Sequence, residues 1–359
     1  MYKRQPKQAL NRPATFFTEQ IGADTYLHGT IYPPAVRPQP TTAPPRELVM
    51  VIDVSSSMSG TSISQLKAAI PVMLQRLHPR DRFNLITFAS ETAQLFHTSR
   101  FASAENLAHA RQFVESLEPN GGTEILPALT LALDNPVHSN YFKQIVVLTD
   151  GAMGYEEEIL SLIAQRLGSQ RLFTVGIGSA PNSYLMRAAA ERGRGTFTYI
   201  GSVSEVTDKM VALFHKLESP TVTDIVLQWP DPITNHAVTV YPSTIPDVYA
   251  GDPVTFTARL TNFNQHNLHG TLTMTGHAGE QAWQQTIPLA KVPKSQGVSK
   301  IWARRKISEL MSGSHERAKV VQVALRHHLV TRYTSLVAVD HLQTRRLEEP
   351  VSYTQLRAH

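Results

Sequence analysis

The chain contains no cysteine in 359 residues. That excludes disulfides, thiolate metal sites and thiol catalysis together. Long apolar runs are missing too, and none approaches the roughly 18–20 residues that a membrane-spanning helix needs. Nor is there a concentrated excess of one charge. The net charge is +5 with a pI near 9.3, but Lys and Arg are dispersed, which argues against nucleic acid as a partner. With 42% hydrophobic and 18% charged residues, the composition is that of an ordinary globular protein and not of a fibrous or disordered one.

Several chemical signatures are also absent. No Gly-x-Ser-x-Gly elbow occurs, and the second carboxylate of an Asp-x-Asp phosphotransferase is replaced by Ser55. GIGSAPN lacks the spacing of a phosphate or dinucleotide loop and reads as a strand end and turn. The adjacent pair His327 and His328 matches no metal spacing and is assigned to packing or surface roles. The prediction is therefore that the chain is not an enzyme and has no catalytic residues, with hydrolysis kept as a weak alternative. Met1–Pro13 is polar and basic, without the apolar segment of a signal peptide. MYKRQ and VSYTQLRAH at the two ends do not resemble protein design, so the natural chain is expected to extend beyond both.

Within these bounds the chain divides by texture. Residues 1–45 form an amino-terminal arm, with two extended pieces within Ala14–Pro33 and a proline-rich linker at Pro34–Pro45. From 46 to 219, strand-like and helix-like segments alternate. ELVMVIDV, DRFNLITFA, Lys143–Thr149 and Leu172–Ile177 are apolar runs of the kind buried on both faces of a sheet. Ala93–Thr98 and TFTYI are further strands. Ser62–Leu77, Ala104–Leu117, Glu124–Leu133, Glu156–Leu167, Asn182–Arg192 and Ser204–Leu217 have helical patterning, with Ser103 and Ser204 as caps. Alternation of this kind predicts an α/β fold with a doubly wound, mainly parallel sheet. From 220 to 341, short strands separated by turns predict a β-sandwich. It is followed by helices at Val298–Met311 and Glu316–Leu329 and a final strand, TSLVAVD. Residues 342–359 are expected to be a disordered or non-native tail. Glu156–Glu158 and Arg304–Lys306 are read as solvated helix faces.

Five oxygen-bearing side chains stand out against this frame: Asp53, Ser55 and Ser57 in VMVIDVSSSMSG, Thr123 in NGGTEI, and Asp150 in IVVLTDG. Each cluster lies where a buried strand or a glycine turn passes into a loop, and in doubly wound sheets such positions converge at the carboxyl edge. All five donors are hard oxygens, which suits Mg²⁺, with Mn²⁺ or Ca²⁺ possible. Three hydroxyls and two carboxylates do not fill a six-oxygen shell, so a position for water or an incoming carboxylate is expected.

The constellation resembles the metal-ion-dependent adhesion site of von Willebrand factor type A domains, and the resemblance covers about Arg46 to Glu218. It implies direct coordination by Ser55, Ser57 and Thr123, with Asp53 and Asp150 acting mainly through water. It also implies a protein partner that supplies an Asp or Glu carboxylate. DVSSSMSGTSISQLK, LHPRDRFNLITF, GGTEILPAL, RLFTVGIGSAPNSYLMRAAAERGRGTFTYIG and ALRHHLVTRYTSLVAVD are similar to marine proteobacterial sortase-target proteins. Those are relatives of inter-alpha-trypsin inhibitor heavy chains. The resemblance implies a cell-surface or extracytoplasmic adhesion module; a structural spacer is the alternative. Its relatives also imply that the type A domain is inserted between strands of one sandwich. The chain departs from the pattern at Ser56, where glycine is usual, and LPALT at Leu126–Thr130 is not a sorting signal. Pro71 falls inside the first helix, where it should bend the helix or cost about 3 kcal/mol.

Overall fold

A computed structural model describes residues 14–32, 45–134, 141–151, 154–178, 182–218, 220–249, 252–278, 281–313 and 316–335. The linker reading for 34–44, most of the final-strand reading and the tail reading lie outside these residues.

The chain starts with a hairpin, β1 (Ala14–Ile21) and β2 (Asp24–Ile31), and then enters an α/β unit at β3 (Arg46–Asp53). This unit continues through α1 (Thr61–Leu74), β4 (Arg82–Phe88), β5 (Thr92–Gln94), β6 (Arg100–Phe101), α2 (Ala104–Glu115) and α3 (Ile125–Asp134). It is completed by β7 (Phe142–Thr149), α4 (Glu156–Arg166), β8 (Arg171–Ile177), α5 (Ser183–Arg192), β9 (Arg194–Ile200) and α6 (Val206–Glu218). The sheet order is β5-β4-β3-β7-β8-β9, with β6 also paired to β4. The five long strands β4, β3, β7, β8 and β9 run parallel, and the short β5 and β6 antiparallel.

Strand alternation divides the core into two layers. Leu48, Met50 and Ile52 of β3 face α1, α2 and α6, where they meet Leu66, Ile70, Met73, Val114, Met210 and Phe214. Val49 and Val51 face the opposite layer of α3, α4 and α5, with Leu129, Ile159, Ile163 and Leu185. A strand covered on both faces has no polar side, which is why these runs read as continuous apolar segments.

The remaining strands are β10 (Pro220–Gln228), β11 (Val238–Tyr241), β12 (Val248–Tyr249), β13 (Val254–Leu260), β14 (Thr271–Ala278) and β15 (Gln281–Pro288). A one-turn helix, α7 (Asp231–Thr234), interrupts them. Two four-stranded antiparallel sheets, β1-β2-β13-β11 and β12-β10-β14-β15, enclose a core that includes Phe16, Leu27, Phe256, Leu260, Leu272 and Met274. β2 lies between β1 and β13 through a continuous register from Thr25↔Leu260 to Ile31↔Val254. The sandwich thus takes strands from both sides of the α/β unit. α8 (Val298–Gly313) and α9 (Arg317–Arg326) pack on it through Trp302, Ala303 and Val320, with Tyr26 and Tyr241 beneath them.

Several local expectations are corrected. The strand expected at Ala93–Thr98 pairs only over Thr92–Gln94. Beyond it, the buried Asn84 amide binds Phe96 in place of a ladder, with Nδ2 donating to the Phe96 carbonyl (2.7 Å) and Oδ1 accepting its N–H (3.1 Å). Ser204 does not cap α6; it sits within a 3₁₀ turn, Val203–Glu205, that leads into the helix. The helix expected to reach Leu329 ends at Arg326, where His328 takes φ 52° and the Leu329 N–H closes on the Ala324 carbonyl at 2.8 Å. Arg304–Lys306 is not simply a solvated face. Arg305 donates to the Thr255 hydroxyl at 3.1 Å, and the Lys306 ammonium lies 5.5 Å from the Tyr241 ring centre. Pro71 does fall inside α1, in its last turn.

Candidate metal centre

The site grows from the end of β3. Asp53 is fully buried there, and both of its carboxylate oxygens are engaged. Oδ1 accepts the Ser55 N–H at 2.9 Å, and Oδ2 accepts the Thr149 hydroxyl at 2.6 Å, which joins β3 to the end of β7. Ser55 is extended (φ −66°, ψ 165°), and a 3₁₀ turn at Ser56–Met58 follows it. The buried Met58 side chain fastens this turn to the core. The turn brings the Ser55 and Ser57 hydroxyl oxygens to 3.0 Å from each other, with Ser55 buried and Ser57 exposed.

Backbone bonds hold the second loop against the first. The Asn120 N–H reaches the Val54 carbonyl (2.8 Å), and the Ser56 N–H reaches the Gly121 carbonyl (3.1 Å). The Gly122 N–H binds the Ser90 hydroxyl (2.8 Å), and the Glu124 N–H binds the Ala89 carbonyl (2.8 Å). Half-buried Thr123 is therefore anchored through both neighbours. Gly121 needs to be glycine: its φ is +67°, and a Cβ would lie 2.5 Å from Ser90 Oγ.

The third segment follows β7. Asp150 is half-buried just past the strand, and the next N–H, from Gly151, is accepted by the Thr149 hydroxyl at 2.9 Å. Gly151 has φ +77°, and a Cβ there would come within 2.5 Å of the Asn182 backbone nitrogen. Burial pushes the Asp53 carboxyl above its ordinary range. Hydrogen bonds from Ser55 and Thr149 pull it down, and the nearby charge of Asp150 adds to the rise.

Asp53, Ser55 and Ser57 thus share one turn, the Thr123 loop is bonded to that turn, and Asp150 is close enough to act electrostatically on Asp53. Sequence reasoning missed Thr149, whose hydroxyl serves Asp53 and Gly151 at once, and Ser90, which braces the glycine loop. The Thr in Leu-Thr-Asp-Gly was the available signal for the first; nothing in the local pattern marked the second. Among the described residues, no three His, Asp or Glu side chains gather into a group that could hold a metal ion. Any ion here would rely on hydroxyls.

Of the other predicted features, the Glu156–Glu158 run opens α4 as a helix start, with Glu156 accepting from Asn182 Nδ2 at 2.7 Å. His327 is buried against Tyr26 and Trp302, and His328 is exposed.

Comparison with known proteins agrees with this architecture. The family model described as the von Willebrand factor type A domain matches residues 46–199. A solved von Willebrand factor type A protein from Catenulispora acidiphila superposes with a TM-score of 0.59 at 14% identity, covering 90% of this chain and 89% of its own. The ArnB paralog VWA2 of Sulfolobus acidocaldarius gives 0.52 at 17% identity, covering 88% and 89%. At these identities the likeness is one of fold, and the class is an α/β type A unit joined to further structure. Among curated relatives, a von Willebrand factor A domain-containing protein of Dictyostelium discoideum is 28% identical over 61% of this chain and 24% of its own length. Human von Willebrand factor A domain-containing protein 5B1 is 31% identical over 57% of this chain and 17% of its own. The chain therefore spans about a quarter or less of the length of these two relatives. The chain contains a von Willebrand factor type A domain, matched over residues 46–199.

Proposed function

We propose that the chain is a divalent-cation-dependent protein-binding module, in which Asp53, Ser55, Ser57, Thr123 and Asp150 hold Mg²⁺ at the carboxyl edge of the sheet. One observation carries the reading. The Ser55 and Ser57 oxygens stand 3.0 Å apart, and adjacent ligands of an octahedral ion with bonds near 2.1 Å are separated by about 3.0 Å. Ca²⁺, whose shell of six to eight oxygens packs its ligands at narrower angles, accepts the same spacing, so the pair fits a hard divalent cation as a class. The donor set is all oxygen, as a hard cation prefers, and it places two carboxylates, one of them fully buried, at one strand edge. When bound, the ion supplies a Lewis-acidic point for a carboxylate. The chain's own part is to hold three hydroxyls and two carboxylates in place on bonded loops.

Domains of this type commonly serve in protein interaction, and an Asp or Glu of the partner is the group that would complete the shell. The resemblance to sortase-target and inter-alpha-trypsin inhibitor heavy-chain proteins supports an adhesion role at a bacterial surface. The test is affinity capture from a surface-protein extract on the immobilised chain. A partner retained in Mg²⁺, released by chelator and not retained by Thr123→Ala is the expected result. Equal retention in all three conditions would refute it.

A second reading, a spacer stiffened by metal, is favoured by the engagement of both Asp53 oxygens in tying β3 to β7. Chelation that lowers the melting temperature without altering partner capture would select it.

A further inference from the structure

Among the described residues, the two sheets of the sandwich present four edges, and three are closed or short. β1 is covered by the segment 293–295: the Thr18 N–H binds the Pro293 carbonyl at 3.0 Å, and the Ser295 N–H binds the Thr18 carbonyl at 2.9 Å. β11 has four residues, and the Trp302 indole donates to the Thr239 carbonyl at 3.1 Å. β12 has two residues. The fourth edge, β15, differs from all of these. It runs eight residues, QAWQQTIP, in unbroken register with β14. It carries no charge, no bulge and no proline before its last position. Exposed edges without such protection pair with other strands.

We propose that β15 pairs antiparallel with β15 of a second copy of this chain, across a two-fold axis at Gln285. The strand's own pattern selects this occupant. In that register Trp283 faces the copy's Ile287, an aromatic and β-branched pair of the kind that stabilises sheets. Both side chains are only half-buried in the single chain, packed on the sandwich core. On the outer face, exposed Gln284 meets the copy's Thr286. At the axis Gln285 meets itself. Among the described residues its Nε2, shut from water, has no hydrogen-bond partner, and the copy's amide oxygen supplies one once the side chain turns outward. A strand without charge also opposes no like charges when it pairs with itself. One strand pair buries less than the roughly 1,000 Å² of a stable interface, so the association is weak and concentration-dependent.

Sedimentation velocity on the full chain tests this across a concentration series. The wild type should shift toward the dimer as concentration rises. Gln285→Lys and Gln285→Glu each place like charges at the axis and should weaken association by about tenfold. An equimolar mixture of the two should restore it. Hydrogen exchange should show β15 amides protected only in the associated state. Melting temperature checks the fold, and Gln284→Lys, at an exposed side chain, provides a second disrupting variant if the Gln285 variants misfold. A wild type monomeric at every concentration would overturn the proposal. So would single variants that associate like wild type, a mixture that fails to recover, or β15 protection gained only from an unrelated protein.

Discussion

Thr149 shows how much of the site rests on one hydroxyl. It donates to a fully buried carboxylate oxygen and accepts the N–H of a positive-φ glycine. Thr149→Val keeps the shape and removes both bonds, leaving two buried polar groups unpaired. Chemical denaturation should show a loss of about 1–3 kcal/mol. His327 is a second residue-scale case. Burial first, and then the neighbouring Arg326 and Arg259, lower it from 6.5 to about 4. Between those values the unfolded chain takes up a proton that the folded chain refuses, so this contribution to stability is present above pH 6.5. It is lost as pH falls toward 4. His327→Phe should flatten melting temperature against pH in that window, while an unchanged slope would assign the effect to other groups. Asp53 and Asp150 could be placed from the sequence because buried strands ending in Asp have few other readings. Thr149 and Ser90 could not, because their roles depend on which strand end lies beside which loop.

At the scale of elements, legibility followed burial. β3, β7 and β8 are covered on both faces, so their apolar runs marked them within a residue or two. Elements whose pairing is replaced by side-chain bonds were harder to read. Asn84 ends β5 early by substituting its amide for a ladder, and no periodicity announces that. Helix ends behaved similarly. Ser103 caps α2 by accepting the Asn106 N–H at 3.3 Å, whereas Ser204 yields to a 3₁₀ turn. α1 tolerates Pro71, which removes a bond to the Lys67 carbonyl. Pro71→Ala should therefore stabilise the protein by about 1–2 kcal/mol, less than the full cost of a helix proline because proline also restricts the unfolded chain. A lower urea midpoint for that variant would show instead that the helix is built around the ring.

Across the whole molecule, the α/β unit and the sandwich with its helices are joined at the amino edge of the sheet and again along α5, where the Tyr184 hydroxyl lies 3.1 Å from that of Ser308 on α8. Arg171 opens β8 at 2% side-chain exposure and binds Asp247, itself wholly buried, at 2.5 Å; it also reaches Asp224. Tyr249 packs edge-on to Phe173 and donates to the Arg194 carbonyl. Burial pushes the Asp247 carboxyl up while Arg171 pulls it down, so the arginine is what keeps that charge tolerable. Arg171→Leu should cost about 3–5 kcal/mol by leaving a buried carboxylate uncompensated, and calorimetry should resolve two transitions in place of one. At the carboxyl edge, Ser57 stays exposed. That is where a binding module needs its contact point. Mg²⁺ titration calorimetry on the wild type and on Thr123→Ala tests the central claim most directly. One ion per chain, with affinity reduced at least about tenfold in the variant, is the predicted result. Equal affinity in the two proteins, or no binding to either, would contradict it.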